Sequence, residues 1–320
     1  MSNCSRFFII VIFIAVLILL IINPSPYIDG INFALNLFVK KVLPTLLPFF
    51  IITKILTILG LGYYLSSIFK KPIKFLFNNS PIGGFIFLMS ILSGYPIGAK
   101  MIAEYVELGC IEKEEATSLV AYTSTSGPLF VIGSVGVGMV GDYKSGLIIL
   151  ISHVAGALLN GLLYRKKSKF TDNSVELLNV PNTFFSDAIK ETVLSLLQVG
   201  ATIVFLNLFI VVLEQSNTFS LLEIFVKTVK VDVGIIRSLI YGCLEMTRGL
   251  NEIAGIMVNN KDMIVISATI ISLGGLSVYM QSMNFLGRVG ISGRYFILTK
   301  LTHAIFTYAI STILVNVLIR

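Results

Sequence analysis

Phe7–Ile22 is sixteen apolar residues in a row, and several later runs reach the ~20 residues that span a bilayer as a helix. This constrains the fold more than any other feature. In hydrocarbon an unpaired backbone amide or carbonyl costs several kcal/mol, so a run of this length must pair its own backbone as a helix. Composition agrees: 55% of the 320 residues are hydrophobic and only 13% are charged, about half the ~25% charge of a soluble domain. The expectation is an all-α polytopic membrane protein with no separate soluble domain. Phe7–Ile22 has the length of a signal-peptide core, but no small-x-small site follows it, so a transmembrane anchor is expected.

The net charge of +7 is concentrated in short connecting stretches. That is an orientation signal for membrane segments, not a nucleic-acid face. Lys70, Lys71 and Lys74 make Ser66–Pro81 a basic link on the cytoplasmic side, and Arg165–Lys169 is a second such stop. The three cysteines and two histidines lack metal-ligand spacing, and no metal or cofactor is expected. Cys243 reads as a small apolar filler.

The informative segments are the interrupted ones. Leu35–Leu65 contains Pro44 and Pro48, which bend or unwind a helix. Ile82–Leu108 is broken by Ser93, Gly94, Tyr95 and Pro96 and then carries Lys100. After a short acidic connector, Glu112–Ala116, the run Thr117–Val140 is broken by Ser124, Thr125, Ser126, Gly127 and Pro128. Gly146–Tyr164 contains His153, Gly156 and Gly161, and Phe184–Leu213 is long and apolar after charged Asp187, Lys190 and Glu191. Val231–Val258 carries Glu245 and Arg248, Met263–Phe285 carries Gly274, Gly275, Ser277 and Gln281, and Phe296–Ile319 closes the chain after Arg288, Arg294 and Lys300. Gly133, Gly136 and Gly138 read as close packing, because they lack the strand–turn–helix setting of a nucleotide fingerprint.

The two halves align weakly at an offset of 148 to 150 residues. Leu46-Leu47 falls on Leu196-Leu197, Ser93 to Lys100 on Tyr241 to Arg248, Ser126 to Leu129 on Gly274 to Ser277, and His153 on His303. The expected division is an anchor and connector over 1–34, a first repeat over 35–169, a linker over 170–185 and a second repeat over 186–320. Transporter repeats of this kind are commonly inverted, with broken helices or re-entrant hairpins meeting near mid-bilayer. Three segments lie between the two basic cytoplasmic stretches, so one of them is expected not to cross fully.

Loosened backbone with hydroxyls at helix N-termini suits an anionic solute. Lys100 and Arg248, at equivalent places in the two halves, would together suit a small anion with two carboxylates if both face one cavity. The alternative is that each snorkels to a headgroup or pairs with an acid such as Glu104, Glu245 or Glu252. The expected binding set is Ser93, Gly94, Tyr95, Lys100, Ser124, Thr125, Ser126, Gly127, Glu245, Arg248, Gly274, Gly275, Ser277 and Gln281. Small-residue helix packing is the competing reading of the hydroxyl cluster. His153 and His303 are expected to be structural hydrogen-bonding residues. Proton or sodium coupling and a homo-oligomer are left open, and no catalytic set is expected.

Three motifs carry a family likeness: SGYPIGAK at Ser93–Lys100, TSTSGPLFVIGSVGVGM at Thr123–Met139 and SHVAGALLNGLLYR at Ser152–Arg165. They resemble the sporulation integral membrane proteins of the YlbJ or SpoVV family, within the wider group carrying the nucleoside-recognition, or Gate, domain. The likeness runs from about Phe38 to Asn316. The resemblance implies a role in spore formation, with dipicolinate moved across the outer forespore membrane. A nucleoside or other heterocycle carrier, and a non-transporting spore-maturation scaffold, are the alternatives.

Overall fold

The computed structural model describes residues 3–166, 180–216, 218, 232–256 and 259–319. Among them the chain is helical throughout, with no strand. Among the described residues six helical stretches are long and apolar enough to cross a membrane, Pro24–Ile58 and Asn260–Leu286 each made of consecutive helices, or seven if one bent pair counts as a span.

The first helix, α1 (Asn3–Ile22), is apolar on every side and leaves Phe7 and Ile21 exposed, as a lipid-facing anchor would. It touches the rest through Phe13, which stacks 6.0 Å from Phe205. α2 (Pro24–Leu37) and α3 (Leu43–Ile58) run on through a wider π-helical turn, Phe38–Val42. Pro24 and Pro26 lie in the first turn of α2, where their missing amides are harmless. Pro44 instead withholds an amide from the turn before it. The Ser134 hydroxyl donates to the carbonyl of Lys41 there, and the Lys41 ammonium donates to the Gly138 carbonyl, 3.0 Å away. A later interrupted segment thus packs against the turn that precedes the proline. The span begins and ends earlier than Leu35–Leu65, because Leu59 and Gly60 turn the chain.

The expected basic link Ser66–Pro81 is a helix, α4 (Leu61–Phe77). Ile73 and Phe77 anchor it to the core while Ile68 and Phe75 stay exposed. Asn78, with φ 56°, ends α4, and the chain bends by 93° into α5 (Pro81–Ser93). α5 and α6 (Ile97–Glu107) are each well under the ~30 Å hydrocarbon thickness at 1.5 Å per residue. The expected acidic connector is the start of α7 (Lys113–Thr123), and Glu115 is buried, accepting from the Ser80 amide at 2.6 Å. An extended stretch over 124–127 leads into a second π-helical segment, Leu129–Val140.

α8 (Tyr143–Leu163) begins at an Asp142 cap and α9 (Phe184–Gln215) is the longest element. The polar stretch expected between the halves lies outside the described residues over 171–179. α10 (Val233–Leu244) and α11 (Met246–Gly255) meet at an extended Glu245, while α12 (Asn260–Leu273) and α13 (Gly275–Leu286) meet at Gly274. α14 (Gly293–Leu318) starts earlier than Phe296, so Lys300 lies two turns inside it. Cys243 is exposed, not an apolar filler.

One hydrophobic core joins residues from Ala34 to Val315, so both halves share an interior. Between helices in lipid, close approach of small residues matters more than apolar burial. A Cβ on Gly136 would sit 2.6 Å from the Gly146 backbone, and one on Gly156 would sit 2.3 Å from Thr307 Oγ1. The close-packing reading of the glycine run holds at Gly136.

Candidate functional site

The four breaks meet in pairs and then together. Gly94 has φ +78°, and a Cβ there would lie 2.6 Å from the Gly127 amide nitrogen, so the first two breaks touch backbone to backbone. Gly275 has φ +66°, and a Cβ there would lie 2.3 Å from the Gly242 carbonyl oxygen, so the other two do the same. Glycine permits both the conformation and the contact. Tyr95 bridges the pairs: its hydroxyl donates to the Ile271 carbonyl, 3.1 Å away, in the last turn of α12.

Between the breaks lies a cavity of about 50 Å³. Ser93, Gly94 and Tyr95 line it from the first break, and Ser126 and Gly127 from the second. Glu245 comes from the third, and Ser277 and Gln281 from the helix after the fourth. Apolar residues of α3, α9 and the first π-turn close one wall, Val42, Leu46, Val199 and Ile203 among them. The volume is enough for a few water molecules. A pyridine-sized solute enters only if the breaks part.

Each break ends one helix and starts the next, so the N-termini of α6, α11 and α13 and of Leu129–Val140 all fall at this junction. Their unpaired amides are positive ends of helix dipoles. Glu245 already occupies one: its carboxylate accepts from the Thr247 and Arg248 amides, the latter at 2.7 Å, and from the Thr247 hydroxyl. Glu245 is 2% exposed. Ser93 and Ser124 present buried hydroxyls with no hydrogen-bond partner among the described residues.

The remaining expected residues lie elsewhere. Thr125 donates to the Ser90 hydroxyl at 3.3 Å behind the cavity. Ser124 contributes its carbonyl to Lys300, and Gly274 and Gly275 form the turn whose far side opens on a lateral groove of about 390 Å³. Lys100 and Arg248 do not face one another. Lys100 pairs with Glu191 at 2.6 Å, whereas Arg248 pairs with Glu214 at 3.1 Å and stacks over Phe33. Both acids belong to α9, about 34 Å apart along the helix. The two-cation clamp on one solute is therefore overturned by geometry, and pairing with acids, here from α9, takes its place.

The cation nearest the junction is Lys300, which the sequence reading left among the flanking charges. It is 4% exposed, and its ammonium donates to Tyr95 Oη at 2.7 Å and to the Ser124 carbonyl at 3.0 Å. It thus binds both breaks of the first half from the last helix. The histidines are structural. The Ser126 amide donates to His153 Nε2 at 2.9 Å, which places the ring proton on Nδ1, facing Ser272 Oγ at 2.7 Å. His303 Nε2 in turn donates to the His153 carbonyl at 2.9 Å.

These elements define a class: a polytopic integral membrane protein, helical over its described residues, with an internal cavity built at helix breaks. Comparison with known proteins adds a relative. The chain is 25% identical, over an alignment of 311 residues, to the sporulation integral membrane protein YlbJ of Bacillus subtilis (strain 168), covering 89% of this chain and 76% of that protein. This bears out the resemblance to the YlbJ group carried by the three motifs. No family model matches the chain, and no solved structure does.

Proposed function

We propose that the protein is a membrane transporter that passes a small anionic solute through the cavity between the four breaks. The observation that carries the reading is that residues of three interruptions and of the helix after the fourth line one internal space, its wall largely apolar with a few polar groups. Unwound backbone at membrane depth is tolerated where it faces such a space, and it is how solute sites are commonly built in transporters. Helix N-termini around the cavity favour a negative group, and one of them is already capped by the Glu245 carboxylate of its own helix.

Dipicolinate, carried across the outer forespore membrane, is the substrate the family likeness favours, and the relative's name supports a sporulation role. Two cations are not required for it, since backbone amides and unpartnered hydroxyls can receive its carboxylates. The inverted relation of the two halves, with 35–169 and 186–320 as repeats, belongs to the same proposal. A nucleoside or other heterocycle is the second reading. It is favoured by the placement of Lys100 and Arg248 away from the cavity and by the neutral amide of Gln281 within it.

Uptake of labelled dipicolinate into proteoliposomes, with and without a proton or sodium gradient, tests the proposal. Saturable uptake blocked by other pyridine carboxylates but not by nucleosides is expected. Block by nucleosides alone selects the second reading. No uptake of either by folded protein under any gradient replaces both with a scaffold role.

A further inference from the structure

Beside the central cavity lies a second opening of about 40 Å³, and Ser93 is in the wall of both. Its chemistry differs from that of its neighbour. Lys54 of α3 and Lys100 of α6 each place Nζ 2.6 Å from the same atom, Oε2 of Glu191. The two ammonium groups are therefore no farther apart than twice that distance. Like charges at such spacing are held only by an anion between them. The lysine side chains are 23% and 19% exposed, whereas that of Glu191 is 43% exposed and comes from a third helix. Glu104 is a looser neighbour, 3.7 Å from Lys100.

Five hydroxyl residues also line the opening; Thr53, Thr57 and Ser195 donate to carbonyls of their own helices, and the other two are Ser93 and Thr192. Ser93 is 2% exposed and Thr192 is 3% exposed, and neither side-chain oxygen has a hydrogen-bond partner among the described residues. A buried hydroxyl is ordinarily satisfied. Two such groups in one opening, with two lysines held on a single half-exposed carboxylate, describe a carboxylate's surroundings in which the protein's own Glu191 supplies the anion.

We infer that this opening is a second subsite for the carried solute, binding a carboxylate of a small organic anion between Lys54 and Lys100. The inference rests on the transport reading above. Glu191 holds the lysines together when the subsite is vacant and swings to its exposed side when the solute's carboxylate replaces it. The hydroxyls of Ser93 and Thr192 then find the acceptor they lack. Because Ser93 borders both spaces, the subsite is a station next to the central cavity, and Arg248, at the far end of α9, has no part in it.

Binding of pyridine-2,6-dicarboxylate to the purified full-length protein, measured by calorimetry in low chloride, tests this alongside uptake into proteoliposomes. Lys54→Gln is expected to weaken binding about tenfold, and Glu191→Gln, which removes the internal competitor, to tighten it by a similar factor. If Glu191→Gln does not fold, Thr192→Val takes its place: weaker binding with an unchanged thermal midpoint is expected. Wild-type uptake with wild-type affinity in every variant overturns the subsite and leaves the transport reading standing. Chloride displacing the probe as well as pyridine-2-carboxylate does at equal concentration overturns the carboxylate assignment. A folded wild type that neither binds nor carries the probe overturns subsite and anion transport together.

Discussion

Lys300, two turns into the last helix, donates a hydrogen bond of 2.7 Å to the hydroxyl of Tyr95, which sits in the first break. Tyr95 passes a hydrogen bond on to Ile271 beside the fourth break, while Lys300 also holds the Ser124 carbonyl of the second. One ammonium thus ties three interruptions together. Removing it leaves a buried hydroxyl and carbonyl with fewer partners. Lys300→Met is expected to cost about 1.5–3 kcal/mol, the range for hydrogen bonds to a charged group. A double-mutant cycle with Tyr95→Phe, read by thermal unfolding in detergent, should give a coupling energy of about 1 kcal/mol or more.

The glycines of the breaks differ in what surrounds them. Gly94→Ala meets the Gly127 amide and Gly275→Ala meets the Gly242 carbonyl, each at a positive φ. Gly109 also has a positive φ, +70°, but nothing lies within 4 Å of a Cβ built there. Gly109→Ala should cost about 1 kcal/mol from backbone strain alone, and each of the other two substantially more. Thermal midpoints and the yield of monodisperse protein separate the two cases.

Arg248 and Glu214 are paired, half-buried groups at the far end of α9. Arg248→Glu is expected to destabilise the protein by about 1–3 kcal/mol. Adding Glu214→Arg should recover part of that loss. Absence of any recovery would mean that Arg248 acts through the Phe33 face instead.

Asp142 caps α8 by accepting from the Ser145 hydroxyl and amide and from the Lys144 amide. Those hydrogen bonds, that of the Ser145 side chain foremost, hold its carboxyl below the usual carboxylate range. A pKa depressed by folding means that the cap's contribution is fully present above the unfolded value, about 3.9, and is lost as pH falls through the lower folded value. Wild type should melt higher than Asp142→Asn at neutral pH, and the gap should narrow only below about pH 4.

The breaks were legible because glycine, proline and clustered hydroxyls have little reason to interrupt a simple span. Their convergence was not legible from any one interruption, because it depends on tertiary contacts such as that of Gly94 with Gly127 and of Gly275 with Gly242. Lys100 and Arg248 misled because a cation's partner is set by tertiary approach: Glu191 and Glu214 sit at the two ends of one apolar helix, and no sequence spacing relates them to either cation. Lys300 was hidden among flanking charges because α14 begins at Gly293, before the apolar run does. α4 was read as a link because its lysines outweighed its buried Ile73 and Phe77.

Cysteine accessibility at Ser277 tests the central claim most directly. In a variant with Cys4, Cys110 and Cys243 replaced by serine, Ser277→Cys would be exposed to a small charged thiol reagent during dipicolinate uptake in proteoliposomes. The account predicts that modification stops uptake and that excess dipicolinate slows the modification. Uptake that continues unchanged after complete labelling of that cysteine would contradict it.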